Sequence, residues 1–178
     1  MKESSEELVG VREPYQQNEQ GSIYLSLDTS LFSAFPQEVE WKGVRLTKKD
    51  EFHVTLLHAK QAQEFSNIPN ERLAAFFVSF IQRKPMTFES FLDDLRFVEE
   101  GEHKTIVARC AVSNLNELFV EFNQAFSANL PVQAAHVTLY TLQKNKGIYV
   151  NTDQQMERAE PVHLPELETA LSKIQFVA

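Results

Sequence analysis

The sequence predicts an α+β fold rather than a doubly wound parallel sheet. Three observations predict it. Two segments repeat apolar residues with helical period, several shorter segments alternate with the period of a strand, and no glycine-rich nucleotide loop links a strand to a helix.

Taken in order, residues 1–20 are polar and acidic and read as a tail or loosely packed leader. Residues 21–178 read as one domain. Ile23-Tyr24-Leu25-Ser26-Leu27 is the first strand, and a short helical turn over 29–35 is stopped by Pro36. The next clear strand is 51–57, and a polar loop follows it. A helix is expected over 70–83, because Leu73, Phe76, Phe77, Phe80 and Ile81 fall on one face; Asn70 would cap it and Pro85 prevents its continuation. Strands over 87–98 and 103–112 flank a hairpin turn at Glu99-Glu100-Gly101-Glu102. A second amphipathic helix spans 114–128, with Leu115, Leu118, Phe119, Phe122 and Phe126 inward. The strand 135–142 comes next, then a turn at 144–147, a short strand over 147–150 and a C-terminal helix over 164–174.

Composition narrows the function classes. Of the 178 residues 43% are hydrophobic and 14 are phenylalanine, enough for a sizeable aromatic core. No apolar stretch approaches the roughly 18 residues of a membrane span. The first ten residues carry no apolar signal segment, and a single cysteine, Cys110, excludes an internal disulfide. A cytoplasmic monomer that binds no membrane is expected. The formal charge of −8 disfavours long duplex nucleic acid, which needs an extended basic face, but permits a small nucleotide or oligonucleotide held by a few local groups.

One feature stands above this background. The heptapeptide 51–57, EFHVTLL, is nearly repeated at 134–140, AAHVTLY. Five histidines make ten pairs, and three further identities after some pair arise by chance only a few times in ~1,000 sequences. Side chains alternate along a strand, so His53 and Thr55 share one face while Val54 and Leu56 share the other; His136 and Thr138 stand likewise against Val137 and Leu139. If the two strands are neighbours related by a pseudo-twofold axis, two imidazoles and two hydroxyls point into one groove. That set suits phosphodiester chemistry. A neutral imidazole serves as general base, a protonated one gives a proton to the departing oxygen, and the hydroxyls bond the non-bridging oxygens. The scheme calls for no metal and no cofactor.

The pair His53-Val54-Thr55-Leu56 and His136-Val137-Thr138-Leu139 resembles the signature of the two-histidine (2H) phosphoesterase superfamily, which includes LigT-like and cyclic phosphodiesterase-like proteins. The resemblance covers residues 21–143, and the spacing of 83 residues is similar too. It implies a two-lobed, pseudo-twofold fold in which antiparallel sheets form a central cleft and helices pack outside. It further implies metal-independent action on 2′,3′-cyclic phosphates, RNA ends, 2′,5′-linked oligonucleotides or cyclic ADP-ribose phosphate. His53 and His136 become the catalytic acid/base pair, and Thr55 and Thr138 the phosphate ligands.

Other residues carry two readings each. Tyr140, two beyond Thr138, is expected to face the groove, either to stack on a base or bond the phosphate, or to pack at the rim. Tyr24 either lines the cleft or packs in the core. His58 falls on the opposite parity to His53 and, with His103 and His163, reads as a surface residue. Arg45, Arg109, Lys144 and Lys146 are candidate phosphate cations or plain solvated charges. Cys110 reads as a small buried apolar residue. No serine-nucleophile elbow, zinc-ligand spacing or phosphate loop is present.

Overall fold

The computed structural model describes residues 10–65, 67–143, 147, 148 and 150–174. Among them, nine strands form one mixed-order sheet in which every pairing is antiparallel, and five α-helices accompany it. The strands are β1 (Tyr15–Gln17), β2 (Ile23–Leu27), β3 (Glu38–Trp41), β4 (Val44–Lys48), β5 (Phe52–Leu57), β6 (Phe88–Glu100), β7 (His103–Val112), β8 (His136–Thr141) and β9 (Glu160–Pro161). The helices are α1 (Ala59–Phe65), α2 (Asn70–Arg83), α3 (Leu115–Phe126), α4 (Asp153–Arg158) and α5 (Pro165–Ser172). The main path runs β1-β2-β5-β8-β7-β6-β9, and the hairpin β3–β4 joins it through β8. The class is therefore α+β, as the mixed pattern predicts. No helix among the described residues is long and apolar enough to cross a membrane.

Alternation along the strands separates two faces. Phe52, Val54 and Leu56 of β5, Val137 and Leu139 of β8, and Ile106, Ala108 and Cys110 of β7 all enter one continuous core. Helix α2 contributes Leu73, Phe77 and Phe80 to that core, α3 contributes Leu118, Phe119 and Phe122, and α5 contributes Leu167 and Leu171. The helical spacing that places these residues on one face is the reason the segments are helices here, since burial of that face outweighs modest intrinsic propensity. Phe76 of α2 meets the rings of Phe122 and Phe126 edge-on, at 5.5 and 5.6 Å between centroids, locking α2 to α3. A smaller cluster joins Val107 to Ala134, Ile148, Val150 and Met156. It holds the stretch after β8 to the opposite face of the sheet, since Val107 alternates with Ile106 and Ala108.

Several expectations need correction. The polar leader is structured in part: β1 lies within residues 1–20, and residues 1–9 lie outside the described set. The cause is Tyr15, whose ring packs 5.2 Å from Phe77 and whose hydroxyl donates to Met86 O at 2.6 Å. The turn into β2 is closed by Gly21, at φ 98, where a Cβ would sit 2.1 Å from Asn70 Oδ1; only glycine fits there. The loop after β5 contains α1, which buries Ala59 and Ala62. The hairpin β3–β4 turns on Lys42 and Gly43, both with positive φ, the geometry of a tight two-residue hairpin turn. Gly147, Ile148 and Val150 are not in a strand; they are tied down instead by Gln133 Nε2 donating to Val150 O and Ala134 N donating to Asn151 O, both at 3.0 Å. Pro69 precedes α2 in the capping position, and Asn70 is its first residue.

Candidate functional site

The two repeated segments lie side by side. Strands β5 and β8 pair antiparallel at Val54↔Val137, the apolar centres of the two copies. Antiparallel direction then sets His53 beside Thr138 and Thr55 beside His136. Val54 and Val137 are fully buried beneath, so parity sends all four polar side chains to the other face. There they line one cleft of about 170 Å³, completed by Lys49, Gln133, Gly147, Ile148 and Val150. The structure thus brings His53, Thr55, His136 and Thr138 together.

The two imidazoles are held differently. His136 is 8% exposed, and its Nδ1 stands 2.7 Å from Ala134 O. A carbonyl only accepts, so Nδ1 carries the proton and Nε2 of the neutral ring offers its lone pair. Burial lowers the His136 pKa; the Ala134 carbonyl opposes this, and the charges of Arg109 and Lys49 add to the lowering. His53 packs against Tyr24 instead, the rings tilted by 43° with 4.6 Å between centroids. Its pKa is brought down to about 4, first by burial, then by the Lys49 ammonium and by His136. Both rings are therefore neutral at pH 7 in the free protein.

Tyr24 occupies the flank of the site. It pairs across to Thr55, and its hydroxyl donates to Gln16 Oε1 at 2.8 Å. Tyr140, expected at the groove, is absent from it: the residue is fully buried in the main core and its hydroxyl donates to Pro36 O at 2.7 Å. The reason is an irregularity in the β7–β8 ladder, where Val107 pairs with Thr138 but Ile106 pairs with Tyr140. The extra residue in β8 breaks strict alternation just past Thr138. Burial raises the Tyr140 pKa, and the Glu166 carboxylate adds to the rise.

Among the candidate cations, Arg45 is exposed and lies 3.9 Å from Glu38. Arg109, the cross-strand neighbour of His136, is held by Asp153 at 3.0 Å and Asp94 at 3.5 Å. Lys144 and Lys146 lie outside the described residues. Among the described residues the cation that lines the cleft is Lys49, which the sequence reading missed. A polar Lys-Lys-Asp-Glu stretch gives no apolar pattern to read, and only the hairpin β3–β4 ahead of it makes its direction predictable. Of the remaining histidines, His58 is buried rather than on the surface, because the chain turns there into α1 and His58 O accepts from Ala62 N. His103 is half-buried and His163 is exposed. Cys110 is buried as expected, and burial pushes its thiol up to about 12.

Comparison with protein-family models, with curated proteins and with solved structures gave no match.

Proposed function

We propose that the chain is a phosphodiesterase of the two-histidine type, acting by paired imidazole acid–base catalysis on a 2′,3′-cyclic phosphate or a similar small nucleotide or RNA-end phosphodiester. The observation that carries this reading is the Val54↔Val137 pairing, which sets both His-x-Thr segments on one cleft. On this reading the lobes of the fold are β1, β2 and β5 on one side of that pair and β8, β7 and β6 on the other.

The chemistry follows from the surroundings of each ring. A phosphodiester bound between Thr55 and Thr138 receives hydrogen bonds on its non-bridging oxygens, where charge grows in the transition state. A neutral imidazole takes a proton from the attacking water, and His136 is prepared for this by its fixed Nδ1–H tautomer. The partner ring must carry a proton to give to the departing oxygen. A bound phosphate anion favours that protonation by adding negative charge beside a ring that is otherwise neutral. No step in this scheme uses a metal.

The test is turnover in the presence of EDTA, over 2′,3′-cyclic nucleotides, ADP-ribose 1″,2″-cyclic phosphate, 2′,5′-oligoadenylate and a cyclic dinucleotide. Each substrate is run against His53→Ala and His136→Ala. Turnover of one substrate that survives EDTA and falls at least ~100-fold in each variant is the expected result. A variant that keeps a tenth or more of the wild-type rate refutes the mechanism.

A further inference from the structure

We infer that Lys49 is the phosphate-binding cation of the cleft, a residue outside both repeated segments that supplies the positive charge the histidines and threonines lack. The inference rests on the phosphodiesterase reading and adds a ligand to it.

Lys48, at the end of β4, pairs with Tyr140 and sends its ammonium to Phe32 O and Phe35 O, at 3.2 and 3.3 Å. The next residue must face the other way. Lys49 N donates to Leu139 O at 2.9 Å, which continues the β4–β8 ladder to the residue beside Thr138. The side chain of Lys49 therefore enters the cleft with His53, His136, Thr55 and Thr138.

Lys49 acts electrostatically on both His53 and His136, whereas Arg109 acts on His136 alone and is taken up by Asp94 and Asp153. Among the described residues no carboxylate forms an ion pair with Lys49. Glu51 acts on it from the exposed side of the turn, and burial disfavours its charged form. A half-buried ammonium facing two neutral rings and two hydroxyls has no contact ion pair among the described residues, and a phosphodiester anion supplies one. Without it the cleft presents hydroxyls and neutral imidazoles to a charged group, a poor exchange for water.

The experiment uses inorganic phosphate as the probe and needs no turnover. The ring protons of His53 and His136 are followed by NMR, first against pH and then against phosphate, in wild type, Lys49→Met and Lys49→Arg. Lys49→Met is expected to weaken phosphate binding by about tenfold or more and to move both histidine titrations up, toward ordinary values. Lys49→Arg is expected to retain most of both properties. If Lys49→Met does not fold, Lys49→Gln, which keeps a polar tip, carries the same comparison. Equal phosphate affinity in a folded Lys49→Met overturns the assignment. So does a loss of affinity with unmoved histidine titrations, which marks altered shape rather than lost charge. A wild-type protein that binds no phosphate overturns the anion cleft itself, and the phosphodiesterase reading with it.

Discussion

Replacing His53 with asparagine tests whether the fold holds a neutral imidazole in the cleft. Asparagine keeps a polar side chain of similar size but cannot titrate. In the folded protein the His53 pKa lies at about 4; in the unfolded chain it returns to about 6.5. Between these values the unfolded chain binds a proton that the folded one refuses. Stability from this residue is complete above about pH 6.5, falls as the pH drops from there to about 4, and is level below. At about pH 5 the loss amounts to about 2 kcal/mol. Urea unfolding of wild type and His53→Asn at about pH 7 and pH 5 measures it, because the carboxylates and His136, whose pKa burial also lowers, are common to both proteins and cancel to first order. Wild type should lose about 2 kcal/mol more than the variant over that interval. Equal losses would mean that His53 titrates normally when folded, and the picture of a cleft whose burial and Lys49 charge hold that ring neutral until an anion binds would fall with it.

Three further outcomes are expected. Thr55→Val and Thr138→Val should each lower kcat/KM by about 10- to 100-fold, measured on whichever substrate turns over, because each removes a donor to the phosphate oxygens. Tyr140→Phe should leave turnover within about twofold of wild type yet cost about 1 kcal/mol in urea unfolding, because its hydroxyl bonds Pro36 O inside the core. Cys110, buried and with its thiol pushed up to about 12, should react with a thiol reagent at about pH 8 only as fast as the protein unfolds, so labelling should accelerate in parallel with denaturant. Fast labelling of native protein would contradict its burial.

The sequence was most legible where burial imposes a period. The apolar spacing of α2 and α3 marks both helices to within a residue or two, and the alternation in the repeated segments places His53, Thr55, His136 and Thr138 on one face before any pairing is known. It was least legible where local hydrogen bonding replaces apolar pattern. Helix α4 is set by a capping box in which Thr152 and Gln155 satisfy each other's backbone, a Thr-x-x-Gln signal with no apolar period behind it. Tyr140 was misplaced because alternation was carried through an irregularity that depends on the partner strand β7, and no single-strand pattern reveals it. Lys49 escaped because a side chain's face after a turn depends on which strand the hairpin joins, here β8.

The Val54↔Val137 pair relates two chemically identical halves, yet their settings differ: a tyrosine ring backs one imidazole, and a backbone carbonyl fixes the proton of the other. A site with equivalent halves would accept a cyclic phosphate in either sense and open it to a mixture of two products. This one is polarised. Under the proposed chemistry the substrate is read in a single direction, and one of the two ring oxygens is always the one to leave.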